Sequence, residues 1–201
     1  MHFLDRFSIY NYHRKRLKSW AGNNPKVQGW QSVESQQARF DAIAHALDFN
    51  NKRVVDLGCG LGELYDYLNH TYSLSHYQGV DQHRPFLKQA ESRVGANNVE
   101  FLYGDISRHE CIDADIIVAC GSLNYRSRDP DYLSKIVTRM YQQANEAVVF
   151  NLLDSDYFHD RSLLKAYNRK AIYRFCKTLT DQVILIDNYA DDDFTIVLEK
   201  H

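Results

Sequence analysis

No run of apolar residues in this 201-residue chain reaches the length needed to span a bilayer, and Met1 to Arg6 is not followed by the hydrophobic stretch of a secretory signal. A cytoplasmic protein is therefore expected, with no membrane partner. Cysteine is sparse and scattered: Cys59, Cys111, Cys120 and Cys176 form no C-x-x-C pair, which argues against a zinc site or a thioredoxin-like motif. No metal is expected. Neither sign of charge dominates, at 24 basic against 26 acidic residues, so the overall basic bias that favours nucleic-acid binding is missing, although RNA stays open as a partner. Internal repeats and low-complexity tracts are also lacking. What remains is an ordinary globular composition, long enough for one substantial core and too short for two comfortable domains.

The chain is organised around Val54-Val55-Asp56-Leu57-Gly58-Cys59-Gly60-Leu61-Gly62, an apolar run carrying an acid and then three glycines at alternate positions. Val and Leu suit a strand buried in a parallel sheet, and glycine lets backbone approach a ligand where a Cβ would collide. Leu61, Leu64, Tyr65 and Leu68 then recur at helical spacing, giving strand, tight turn and helix within a few residues. A dinucleotide fingerprint needs G-x-G-x-x-G, but its third position falls on Glu63 or Tyr65. The order present is D-x-G-x-G-x-G.

Further strands read at 77–81, 99–103, 114–119 and 147–153, with a closing pair at 183–187 and 194–199. Their short join, 188–192, favours antiparallel pairing, because parallel neighbours need a long crossover. Helices are expected from the stripes Phe40, Ile43, Ala44, Leu47 (capped by Ser32 or Ser35); Phe86, Leu87, Ala90 (opened by Pro85); Tyr132 to Met140 (started by Asp129-Pro130); and Leu163, Leu164, Tyr167, Ala171, Phe175. Five β-then-α alternations and a terminal hairpin predict a doubly wound, mostly parallel α/β sheet. Ahead of it, Phe3, Phe7, Tyr10, Arg14 and Leu17 mark an amphipathic helix over about 3–19, with His13 to Lys18 basic toward its end; 21–31 reads as a loop flanked by Trp20 and Trp30.

The D-x-G-x-G-x-G segment resembles the first motif of the class I S-adenosylmethionine-dependent methyltransferases, and the resemblance runs from about residue 33 to the end. It implies a seven-stranded sheet in the order 3-2-1-4-5-7-6, a methyltransferase domain over 33–201 and an extension over 1–32 that lies over the substrate side. It implies S-adenosyl-L-methionine as cofactor, with Gly58, Cys59, Gly60 and Gly62 cradling the methionine end, Asp56 helping to hold its amino group, Asp81 and neighbouring Gln82 at the ribose, and Asp105 and Ile106 at the adenine. Trp30, Gln36 and Arg39 become candidates for cofactor or acceptor contact, and Cys120 lies where the segment after the fourth strand closes over the cofactor. Each has a plainer reading as cap, turn or packing residue.

Methyl transfer is an in-line displacement whose reactive group the cofactor carries, so a strong base is optional and the donor is easier to read than the acceptor. Candidates for handling an acceptor proton are Tyr125, Asn124, His109 and Asp154, with His159 further along. There is neither the Asn/Asp-Pro-Pro-Tyr/Phe segment of amino-methylating nucleic-acid enzymes nor the Pro-Cys pair of cytosine-C5 enzymes. The expected activity is thus methylation of an O or N atom of a small molecule. The alternatives are an RNA or protein methyltransferase using the basic stretch Arg14 to Lys18, and a catalytically silent cofactor-binding regulator.

Overall fold

The computed structural model of the protein describes every residue except Ala21, Asn23 and His201, so the 21–31 segment is seen only in part. Seven strands form one sheet: β1 (Arg53–Leu57), β2 (His76–Asp81), β3 (Val99–Tyr103), β4 (Ile116–Ala119), β5 (Ala147–Leu153), β6 (Val183–Ile186) and β7 (Asp193–Glu199). Their order is β3-β2-β1-β4-β5-β7-β6, and β7 alone runs against the direction of the other six. The doubly wound architecture expected from the sequence is present.

Alternation along the strands splits the core in two, because successive side chains point to opposite faces. Val54, Ile116, Val118 and Val149 face α3 (Val33–Ala44), α4 (Glu63–Asn69) and α5 (Arg84–Arg93). Val55, Ile117, Val148 and Phe150 face α6 (Tyr132–Gln143) and α7 (Arg169–Cys176). With both faces covered, β4 and β5 are buried at every position, which is why they read as apolar runs, broken in β5 only by Asn151.

Four readings need correction. The third crossover, 104–115, contains turns and no helix, so the β-then-α alternation is broken there. Helix α6 begins at Tyr132 rather than at Asp129-Pro130: the Asp129 carboxylate accepts from the Asp131 N–H at 3.0 Å, which makes 129–131 a turn leading into the helix. Helix α7 begins only at Arg169, where the Asn168 side chain accepts from Ala171 N–H at 3.0 Å; Leu164 and Tyr167, which the spacing placed on this helix, form β-bridges to Tyr125 and Asp154 instead. Within the supposed loop at 21–31, residues Asn24–Gln28 form a short helix, α2, pinned by Val27 packing on Leu61 and Phe86. One turn is too short to register as a period.

The N-terminal helix, α1 (Phe3–Ser19), is where the sequence predicts, but its buried face is not the apolar stripe. Phe3 and Phe7 are 73% and 54% exposed, whereas Asp5, Ile9 and His13 are buried. Asp5 is stabilised there because its carboxylate accepts from Arg128 Nη1 at 2.6 Å, from the Arg128 backbone N–H at 2.9 Å and from Ser127 Oγ at 3.2 Å. No helix among the described residues is long and apolar enough to cross a membrane.

A buried ion pair joins α3 to the start of β7: Arg39 Nε and Nη2 both lie 2.9 Å from Asp193 Oδ2, and Asp193 is fully buried. Removing one partner strands the other charge away from water. Arg39→Ala is expected to lower the free energy of unfolding by ~3–5 kcal/mol, read from urea denaturation.

Candidate active site

At the end of β1 the chain turns through Gly58, with φ 93°, and its N–H donates to the Val80 carbonyl at 2.7 Å. A Cβ at Gly58 would stand 2.2 Å from Ser122 Cβ, so the turn and the segment after β4 can approach only with glycine here. Ser122 Oγ seals that contact by donating to the Leu57 carbonyl at 2.5 Å. Gly60 is next, its N–H donating to Asp81 Oδ2 at 3.0 Å, which ties the glycine loop to the end of β2. Gly62 turns away from this cleft, and a Cβ there would meet Phe101.

The carboxyl ends of the strands open into a cavity of about 170 Å³, far above the ~10–15 Å³ that one water occupies. Of the residues read from the sequence, the structure brings together Gly58, Gly60, Asp81, Gln82, Asp105, Ile106, Cys120, Trp30, Arg39, Asn124 and Tyr125 in its wall. Asp56, Cys59 and Gln36 line a small crevice beside it instead. His109, Asp154 and His159 lie outside both. His109 Nε2 is held by Gln78 Oε1 at 2.6 Å, Asp154 is buried in an ion pair with Arg169, and His159 is exposed. Asn124 reaches the cavity, yet its side-chain oxygen accepts from the Leu153 N–H at 2.9 Å, fastening the loop after β4 to β5.

Burial sets the electrostatics of the wall. It pushes Asp81 up to about 6, against the hydrogen bonds from the His83, Gly60 and Gln82 backbone. Asp56 rises to about 7 from burial despite the 2.6 Å hydrogen bond donated by Tyr77. Burial also works against an ionised Asp105, but the Ser107 hydroxyl and backbone N–H, with Arg6 3.5 Å away, hold it below the ordinary range. The Cys120 thiol, pushed up to about 12 by burial, is no thiolate nucleophile.

Sequence reasoning missed the histidines. His13, counted among the basic residues of α1, turns inward and its Nε2 hydrogen-bonds with the Tyr125 hydroxyl at 2.6 Å. His83, two residues beyond Asp81, is 1% exposed, and neither ring nitrogen has a hydrogen-bond partner among the described residues. Buried polar atoms are nearly always paired, so each one left over calls for a water or a ligand. Besides His83, such atoms include Trp30 Nε1 and Tyr132 Oη in the cavity wall and Asp56 Oδ1 in the crevice.

A sequence model of the methyltransferase domain matches residues 54–145. In structure, the magnesium protoporphyrin IX methyltransferase of Synechocystis PCC 6803 with bound S-adenosylhomocysteine superposes with a TM-score of 0.74 at 13% identity, covering 98% of this chain and 99% of that one. The domain at 54–145 and the fold are those of the class I S-adenosylmethionine-dependent methyltransferases. Among sequence relatives, a putative methyltransferase (Rv1506c) of Mycobacterium tuberculosis is 29% identical over 154 residues, covering 72% of this chain and 91% of that protein. A probable (S)-tetrahydroprotoberberine N-methyltransferase of Papaver bracteatum is 28% identical over 141 residues, covering 67% of this chain and 36% of that protein. The methyltransferase therefore takes S-adenosylmethionine as its methyl donor.

The wall suits that donor. Asp81 and Asp56 could accept from ribose hydroxyls and an ammonium, and Trp30 Nε1 is a free donor for a carboxylate. Asp81→Ala is expected to weaken S-adenosylhomocysteine binding by ~1–3 kcal/mol for each hydrogen bond lost, measured by calorimetry. With Asp56 at about 7 and Asp81 at about 6, wild-type affinity should decline below about pH 7 as these carboxylates gain protons; in Asp81→Ala the part of that decline near pH 6 should vanish.

Proposed function

We propose that this methyltransferase acts on a small-molecule acceptor bound beneath α1. The observation that carries the reading is continuity: the cavity that begins at Gly58, Gly60 and Asp81 extends without a break to Tyr10, Tyr12 and His13 of α1 and to Phe158 beyond β5. Donor and acceptor would meet in one chamber, its far end aromatic as small-molecule sites commonly are. Asp56, Asp81, Asp105 and the glycine loop make up the donor end of this assignment, and residues 1–32 form a covering extension to the domain over 33–201. Helix α1 closes the chamber through Asp5 on Arg128 and through Arg6 Nε, which donates to Gln82 Oε1 at 3.0 Å. A polymer would have to displace this helix to reach the methyl group.

The burial pattern of α1 also disfavours the RNA reading. His13 faces the cavity, and Arg16 Nε donates to the Lys26 carbonyl at 2.5 Å with its guanidinium over Tyr12, so the basic stretch is not a single exposed face. Arg14, Lys15 and Lys18 remain exposed. Incubation with tritiated S-adenosylmethionine and, separately, a metabolite extract, total RNA and a protein fraction is expected to label the metabolite extract. Replacing Arg14, Lys15 and Lys18 by alanine should leave that labelling unchanged. Label in RNA, lost in this triple variant, would instead support the polymer reading, and donor binding without label anywhere would support the silent one.

A further inference from the structure

We infer that the acceptor atom is a hydroxyl oxygen, with Tyr125 taking its proton while handing its own to His13. The inference rests on the small-molecule reading above. Tyr125 stands on the segment leaving β4 and His13 on α1, and the two meet in the cavity wall with the Tyr125 hydroxyl 2.6 Å from His13 Nε2. The Val27 carbonyl, which can only accept, lies 3.5 Å from Nδ1, so in the neutral ring the proton sits on Nδ1 and Nε2 is left to accept from the Tyr125 hydroxyl. Having spent its proton on His13, the Tyr125 oxygen keeps lone pairs for a donor from the cavity. A hydroxyl acceptor is such a donor. A neutral amine needs no proton removed before attack, so it leaves this pair without employment.

The groups facing His13 are Tyr12 and Arg16 on its own helix, His83 and Phe86 from the segment after β2, and Tyr125. None is a carboxylate. Burial, then the nearby His83 and Arg16, hold His13 down at about 3, so it is neutral with its lone pair free in the resting protein. When S-adenosylmethionine is bound it supplies an electrophilic methyl on a sulfonium: the acceptor oxygen forms the C–O bond as the C–S bond breaks, and that electron pair stays on sulfur. The acceptor proton passes to the Tyr125 oxygen, the Tyr125 proton passes to His13 Nε2, and the imidazolium later releases a proton to solvent. One positive charge disappears at sulfur as one appears on His13, so the cavity's net charge is constant through the step. The burial that keeps His13 neutral at rest therefore does not oppose proton transfer to the same extent. Tyr125 is the catalytic residue in this scheme, and His13 is a positioning residue that acts through it.

The test begins without turnover. Long-range ¹H–¹⁵N spectra of the wild-type protein should show His13 as the neutral Nδ1–H tautomer at pH 7, with its Nε2 resonance moved in Tyr125→Phe; an imidazolium or the Nε2–H tautomer would overturn the proposal. A panel of phenols, catechols, alcohols, amines and thiols is then offered with tritiated donor. Label in a hydroxyl compound is expected. On it, Tyr125→Phe should lower kcat by about 100-fold or more, leaving KM and calorimetric S-adenosylhomocysteine affinity within about twofold. His13→Gln should act in the same direction, and the double variant should be no worse than Tyr125→Phe, because residues acting as a unit are not additive. At saturating donor, wild-type kcat should be level from about pH 6.5 to 9, where an unperturbed histidine base would give a limb near 6.5. Label confined to amines or thiols, no labelled hydroxyl compound, or Tyr125→Phe keeping more than about a third of kcat would each overturn the proposal. The first of these leaves the small-molecule reading standing, whereas label in RNA or protein removes that reading itself.

Discussion

The site depends on a close approach between the turn that ends β1 and the segment that leaves β4, where the backbone at Gly58 lies so near Ser122 that no Cβ fits. Other features of the site follow from that contact. Because Ser122 binds the Leu57 carbonyl, the segment after β4 is held over the glycine loop, and Tyr125 is carried to the far wall of the cavity. Because the loop turns so sharply, the Gly60 N–H reaches Asp81, which fixes the acid at the end of β2 relative to the loop. The parallel sheet supplies the rest: β1, β2 and β4 lie side by side with their carboxyl ends together, so three short connections share one crevice.

Much of this was legible in the sequence because it is written in backbone-level constraints. A strand buried on both faces is predominantly apolar, and β4 is apolar throughout while β5 is apolar at every position but Asn151. Glycines at alternate positions after a strand signal a close approach, and Gly58 makes one. The side-chain chemistry was less legible. Asp154 and His109 stand at the correct ends of the sheet, but whether such a residue faces the cavity depends on partners distant in sequence: Arg169 claims one and Gln78 the other. Apolar spacing misled at 163–167 because Asn168 caps a later helix start and bridges to Tyr125 and Asp154 hold the preceding segment extended.

Helix α1 shows the same limit most plainly. Its hydrophobic residues Phe3 and Phe7 face outward and its polar residues Asp5 and His13 face inward, the reverse of what amphipathic patterning assumes. The inversion works because each inward polar group has a partner on another element, Arg128 for Asp5 and Tyr125 for His13. A periodicity argument sees residue types and not partners, so it assigned His13 to a basic surface.

This manner of attachment bears on how the chamber exchanges its contents. A helix glued down by a broad oily face parts from its neighbour only at the expense of the whole contact area, whereas one held by a handful of directional bonds can come away when those few are traded for water. Helix α1 is attached in the second manner, at Asp5, Arg6, His13 and Arg16, with Ile9 its one fully apolar buried residue. It is built as a shutter on latches, and local opening of such elements is among the slow motions that commonly set the pace of product departure.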